Sequence, residues 1–323
     1  MKILLYIRAK LPVVEYGGTE RVVWDLGFAL QTMGHQVTFL ALKGTICDWA
    51  SVQELNPTQS LESQVPDDID LVHFHSDFED ISKPYVITQH GHCQSEINPN
   101  TIFVSKKHAQ IYGAQCYVYN GLNWNNYQGF QTKTKQERFH FLGKAAWRAK
   151  NVQGAIDISK AAGKKLDVMG GYRFNFKMGI RLSLDSHVRF WGMVNDHQKA
   201  DVMQSSKGLI FPVTWHEPFG LAITESLYYG CPVFATTHGS LPELIDSDVG
   251  YLSNVESELV QAVSDLQFSA LRCHEYARDQ FNADVMAKAY LDKYEKVLNA
   301  EVLNELGPRN LNNYKKLAYL RQS

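Results

Sequence analysis

The sequence lacks the features that mark several large classes of protein. It holds only five cysteines, Cys47, Cys93, Cys116, Cys231 and Cys273, and no two form a Cys-x-x-Cys pair. An odd, scattered set argues against a secreted disulfide framework and against a structural zinc site. No apolar run approaches the ~18 residues of a membrane-spanning helix. The run Met1–Ile7 is followed by Arg8 and Lys10. It is too short for a signal sequence with its cleavage site and reads as a first strand. The net charge is only −2, so no imbalance points to nucleic acid. Residues 1–130 carry 8 basic and 13 acidic side chains, and residues 131–323 carry 24 and 21. The acidic first part does not favour a membrane-docking surface, leaving Lys315, Lys316 and Arg321 in the tail as the basic group that could reach one. The expectation is a cytoplasmic protein.

What is present is an apolar content of 45% over 323 residues, enough for two cores. Lys2–Ile7 reads as a buried strand, followed by a loop with Gly17-Gly18. Thr19 is placed to cap a helix whose stripe runs Val22, Val23, Leu26, Ala29, Leu30, Met33 and stops at Gly34. Gln36–Leu42 is the next strand. Strand, glycine loop, helix, strand is the start of a parallel α/β unit. Short apolar runs at 70–74, 85–88, 101–104 and 117–119 each end in polar groups, among them His75, His90, Ser105 and Asn120. Ligands of open α/β sheets bind at that edge. The polar stretch 123–137 reads as a linker. The alternation then restarts, with strands at 138–142, 165–169, 188–191, 208–212 and 232–236 and helices at 152–162, 199–205 and 220–229. A C-terminal helix is expected over 284–306, broken by Gly307-Pro308, with one more after it.

The stretch that carries chemistry is Thr214-Trp215-His216-Glu217-Pro218-Phe219-Gly220-Leu221-Ala222-Ile223-Thr224-Glu225-Ser226. It follows a strand and opens a helix. Pro218 suits a first helical turn and Gly220 allows close approach to the backbone. The N–H groups of Phe219, Gly220, Leu221 and Ala222 would form an anion site at the helix N-terminus. Two carboxylates, Glu217 and Glu225, flank it, suited to accept hydrogen bonds from sugar and ribose hydroxyls. Lys144 and Lys150 follow an earlier strand, where two cations would neutralise a leaving diphosphate.

This stretch resembles the Glu-x7-Glu signature of retaining glycosyltransferases of the two-domain GT-B fold, in particular glycosyltransferase family four. Further segments resemble that family's motifs: Tyr229-Gly230-Cys231-Pro232-Val233, Gly239-Ser240-Leu241-Pro242-Glu243-Leu244, Gly250-Tyr251-Leu252, Tyr16-Gly17-Gly18-Thr19-Glu20 and Gly34-His35-Gln36-Val37. The resemblance covers residues 1–298. It departs at Lys144, where the family usually carries arginine, so that a bidentate grip is replaced by a point charge.

The resemblance implies two Rossmann-like doubly wound α/β domains facing across a cleft. Residues 1–122 would form an acceptor-side domain, 123–137 a linker and 138–283 a nucleotide-sugar domain, with helices in 284–323 packing back towards the first. It implies catalytic roles for Glu217, His90 and Lys150. Donor binding would involve Gly17, Gly18, Lys144, Lys150, Phe219, Gly220, Leu221, Ala222 and Glu225. Glu217 would hold the sugar and Glu225 the ribose. Gly170-Gly171 and Met193-Val194 would pass near the base. His90, with His73, His75 and His92, makes a histidine-rich edge, yet no metal or cofactor is expected, since lysines and helix amides already meet the diphosphate. The donor would be a sugar of UDP, GDP or ADP and the acceptor a hydroxyl of a carbohydrate, lipid-linked glycan or glycoside. Two other readings stay open: a nucleotide-sugar epimerase or phosphorylase on the same fold, and a non-catalytic binding protein.

Overall fold

The structure, a computed structural model, describes residues 1–13, 17–93, 96–131, 135–175, 181–265, 267–309 and 317. The chain divides into two units. Met1–Trp124 with Phe281–Asn313 form one, and Asn125–Gln280 with Tyr314–Ser323 the other. The divisions fall at 124/125 and 280/281, where the sequence suggested 122/123 and 283/284.

In the first unit, β1 (Lys2–Ile7), β2 (Gln36–Ala41), β3 (Ser51–Glu54), β4 (Leu71–Phe74), β5 (Tyr85–Gln89) and β6 (Thr101–Phe103) form a parallel sheet in the order β3-β2-β1-β4-β5-β6. The central strands are largely apolar and buried because both faces are covered. Helix α1 (Gly18–Thr32) lies so close to the sheet that a Cβ on Gly27 would stand 2.6 Å from the Phe39 ring. Its N-cap is Gly17 without a side-chain bond, and Thr19 lies inside the helix, not at its cap. Helix α2 (Lys106–Ile111) is capped by Ser105, whose Oγ accepts from the His108 N–H.

The expected strand at 117–119 is only a bridge between Phe103 and Tyr117. The Val118 N–H bonds to the Phe103 carbonyl (2.8 Å), and just before it Asn304 Oδ1 accepts the N–H groups of Gln115 and Cys116 (3.3 and 3.1 Å).

In the second unit, β7 (Arg138–Leu142), β8 (Lys165–Met169), β11 (Val188–Gly192), β12 (Leu209–Phe211), β13 (Val233–Ala235) and β14 (Gly250–Leu252) form a parallel sheet in the order β11-β8-β7-β12-β13-β14. A small ladder of β9 (Phe174–Asn175) and β10 (Arg181–Leu182) stands apart from it. The helices are α3 (Val152–Ala161), α4 (Asp196–Ser205), α5 (Leu221–Tyr228), α6 (Leu241–Leu244), α7 (Glu256–Ser264) and α8 (Ala270–Gln280). Both sheets share one wiring: the strand order runs outward from the first strand, then reverses to the fourth. The reversal leaves a crevice at the carboxyl ends of the first and fourth strands, here β7 and β12.

The chain then returns to the first unit with α9 (Ala283–Leu298), which packs on α1 and β5. It stops eight residues short of the expected 306. Ala300 adopts φ 62°, and the N–H groups of Ala300 and Glu301 bond back to the carbonyls of Val297 and Lys296. This is a Schellman ending built on alanine instead of glycine. The helix expected beyond Pro308, with Lys315, Lys316 and Arg321, lies outside the described residues. Among the described residues no helix is long and apolar enough to cross a membrane.

Candidate functional site

Two loops meet at the crevice of the second unit. After β7 the chain turns twice, with the Trp147 N–H bonding to the Lys144 carbonyl and the Lys150 N–H to the Trp147 carbonyl. It ends in Asn151, left-handed at φ 54°, which caps α3. Asn151 Nδ2 donates to the Pro212 carbonyl (2.8 Å), and the Thr214 N–H donates to the Ala149 carbonyl (2.8 Å). These bonds stitch the loop after β7 to the loop after β12 and bring Lys150 to Glu217.

The pair is buried. Lys150 Nζ stands 2.6 Å from Glu217 Oε2, with side-chain exposures of 13% and 7%. The stem of Lys150 is walled by Trp147, Phe211 and Trp215, whose ring centres lie 5.2 to 5.6 Å from Nζ. Trp215 Nε1 donates to the same Oε2 at 2.8 Å. Trp215 therefore holds the Glu217 carboxylate directly as well as walling the lysine.

Behind Glu217, its carbonyl accepts the Ser240 N–H (2.9 Å), and Ser240 Oγ donates to the Phe219 carbonyl (2.7 Å). Gly239 has φ 67°, and a Cβ there would lie 2.3 Å from the Glu217 N and O. The Gly239-Ser240 turn thus fixes the Glu217 backbone.

Gly220 caps α5 at φ 97°. Pro218 lies two residues before that cap, outside the first turn in which the sequence placed it. Leu221 and Ala222 open the helix, where first-turn N–H groups lack intrahelical acceptors. Within α5, Ser226 Oγ bonds with Nε2 of His140 in β7 (2.8 Å), while His140 Nδ1 bonds with Ser206 Oγ (2.7 Å). A buried imidazole therefore anchors the helix to the sheet.

One turn into α5 stands Glu225, 6% exposed. Its Oε1 receives Lys199 Nζ at 2.5 Å and the Tyr127 hydroxyl at 3.0 Å. Lys199 belongs to α4, which begins three residues before the helix expected at 199, because Asn195 and Gln198 form a reciprocal capping box. Nothing in the sequence singled out Tyr127, which lies in the stretch read as linker.

Lys144 is exposed on the loop after β7. The strand ends around it are held by backbone: the Ala145 N–H bonds to the Gly170 carbonyl and the Gly170 N–H to the Gly192 carbonyl. Met193, just beyond β11, is exposed.

The structure thus gathers Lys150, Glu217, Phe219, Gly220, Leu221, Ala222 and Glu225 around the start of α5. Gly17, Gly18 and His90 belong to the first unit. There His90 Nε2 bonds with His75 Nδ1 (3.0 Å), and the His75 ring lies 3.8 Å from that of His73. His73 bonds with Thr88 Oγ1 and the Tyr294 hydroxyl, and Thr88 with the Tyr290 hydroxyl, which joins α9 to the carboxyl edge of β4 and β5. Among the described residues no group of three or more His, Cys, Asp or Glu side chains could hold a metal ion.

Burial lowers the pKa of His90 to about 4 and those of His108 and His140 to about 3, from 6.5. These rings are neutral when folded and take up protons only on unfolding. Their contribution is complete above pH 6.5 and is lost as pH falls from 6.5 towards those values. Each adds at most one proton, or ~1.4 kcal/mol per pH unit, to the slope. Urea denaturation between pH 7.5 and 4.5 is expected to show stability falling steeply below 6.5. His108→Phe should flatten the slope by about one proton; an unchanged slope would contradict this.

Two Rossmann-like parallel sheets of matching strand order define the GT-B fold. AviGT4, a glycosyltransferase involved in avilamycin A biosynthesis, superposes with a TM-score of 0.77 over 93% of this chain and 98% of its own, at 19% identity. HepE from Anabaena, in complex with UDP and glucose, gives a TM-score of 0.62 over 92% and 100%, at 17% identity. At such identities the likeness is one of fold. Residues 124–280, almost the whole second unit, match the family model of glycosyl transferases group 1. An uncharacterized 42.6 kDa protein in the cps region of Klebsiella pneumoniae is 25% identical over 170 residues. The alignment takes in 51% of this chain, and the chain spans 42% of that relative's length.

Proposed function

We propose that the protein is a retaining glycosyltransferase that moves a sugar from a nucleoside diphosphate sugar to a hydroxyl of a carbohydrate, lipid-linked glycan or glycoside. The observation that carries this reading is the pair of buried carboxylates astride the start of α5, each held at one oxygen by a lysine and a neutral donor. HepE, of the same fold, is described with UDP and glucose, which favours a donor of this class.

Glu217 accepts from the sugar hydroxyls and Glu225 from the ribose. The diphosphate lies at the N–H groups of Phe219, Gly220, Leu221 and Ala222, with Lys144 and Lys150 countering the charge that grows on it as the glycosidic bond breaks. The acceptor hydroxyl attacks the sugar carbon on the face the diphosphate leaves and gives its proton to that diphosphate. In the first unit, His90 takes the catalytic role and Gly17 and Gly18 contact the donor.

Donor turnover with and without a hydroxyl acceptor, with the product anomer read by NMR, tests this reading. The expected result is acceptor-dependent turnover with the donor's anomeric configuration kept. Inversion would contradict the retaining assignment, and release of free sugar without acceptor would point to the epimerase.

A further inference from the structure

The two carboxylates share a construction. Glu217 takes both its donors, Lys150 Nζ and Trp215 Nε1, on Oε2. Glu225 takes both of its donors, Lys199 Nζ and the Tyr127 hydroxyl, on Oε1. Lys199 is itself 8% exposed and also reaches Asp196 Oδ1 at 3.2 Å. Its Nζ stands 5.6 Å from the centre of the Tyr127 ring. A carboxylate oxygen carries two lone pairs, so these donors saturate Oε1 and fix the plane of the group.

We propose that Lys199 and Tyr127 are positioning residues that set the ribose specificity of the donor site. By occupying Oε1 they turn Oε2 of Glu225 outward as a fixed acceptor with two lone pairs, matched to the two adjacent hydroxyls of a ribose. Tyr127 does this without charge and Lys199 by neutralising a carboxylate that would otherwise be buried alone. The assignment rests on the reading that Glu225 receives the ribose.

The consequence is that recognition of the diol depends on groups that never touch the nucleotide. A hydrogen bond to a charged acceptor contributes ~1.5–3 kcal/mol, which is roughly 10- to 150-fold in affinity.

Calorimetric titration with UDP, ADP and GDP and their 2′-deoxy forms tests this in four proteins. The wild type is expected to prefer the ribo form of the nucleotide it binds by about 10-fold or more. Tyr127→Phe removes one donor and keeps the ring; the preference is expected to shrink several-fold, with the melting temperature little changed and diphosphate binding retained. Lys199→Met with Glu225→Gln, made together so that no buried charge is left alone, should abolish the preference. Glu225→Gln alone separates the two levels of the claim. If Glu225→Gln removes the preference but Tyr127→Phe leaves it at the wild-type value, the positioning role is overturned while the ribose assignment stands. If the wild type itself shows no preference, the ribose assignment fails and the positioning role with it.

Discussion

Lys150→Met is expected to be the most costly single substitution in the second unit. The methionine fills the slot between Trp147, Phe211 and Trp215, but it leaves the Glu217 carboxylate buried beside the Trp215 N–H without its cation. Removing one member of a buried pair costs ~3–5 kcal/mol, because the partner's charge stays desolvated. At roughly 2–4 °C per kcal/mol for a large domain, the melting temperature should fall by about 10 °C. Activity should fall by ~10²–10³, since in the proposed reaction the lysine also faces the charge that grows on the leaving group. Adding Glu217→Gln removes the stranded charge. Most of the stability should then return while the activity does not. Scanning calorimetry of the single and double variants checks this. A double variant as unstable as the single one would show that Lys150 acts only by packing.

Gly239→Ala should have the second largest effect. The new Cβ would lie 2.3 Å from the backbone N and O of Glu217, neither of which is a flexible side chain that can swing away. Overpacking costs ~1–3 kcal/mol, and a left-handed backbone adds ~1–2 kcal/mol for a residue with a Cβ. The turn has to retreat and carry Glu217 with it, and a shift of about 1 Å at a reacting site can cost ~10² in rate. Gly163→Ala is the matched control: its φ is 65°, but nothing lies within 4 Å of the Cβ. It should show the backbone strain alone and keep full activity. Equal losses in both variants would mean that the contact with Glu217 carries no weight.

The sequence displays the frame of this site more openly than its fittings. Strands such as Leu71–Phe74 and Leu209–Phe211 are buried on both faces, so their apolar runs stand out. β3, Ser51–Glu54, is an edge strand with no buried position, and its polar sequence carries no pattern to read. The Glu217–Glu225 spacing was visible because both residues lie on one continuous segment. Their partners were not. Lys199 sits 26 residues before Glu225 and Tyr127 98 before it. Only the folding of α4 and the 125–131 segment onto α5 joins them, and no local periodicity encodes that. The capping pair Asn195 and Gln198 was a local signal for the true start of α4, and the reading that began the helix at 199 passed over it. Ala300 gave no such warning at the end of α9, because a left-handed ending usually falls on glycine.

We read the start of α5 as a diphosphate site flanked by hydroxyl-reading carboxylates. The most direct measurement is a thermal-shift titration with UDP, GDP and ADP, their monophosphates and their nucleosides. A ligand at 100 times its dissociation constant stabilises by ~2.7 kcal/mol, which is readily seen. One diphosphate is predicted to raise the melting temperature in a saturable way, its monophosphate much less and its nucleoside not at all, and Glu225→Gln should reduce the shift. No shift from any diphosphate at millimolar concentration, or an undiminished one in Glu225→Gln, would contradict the account.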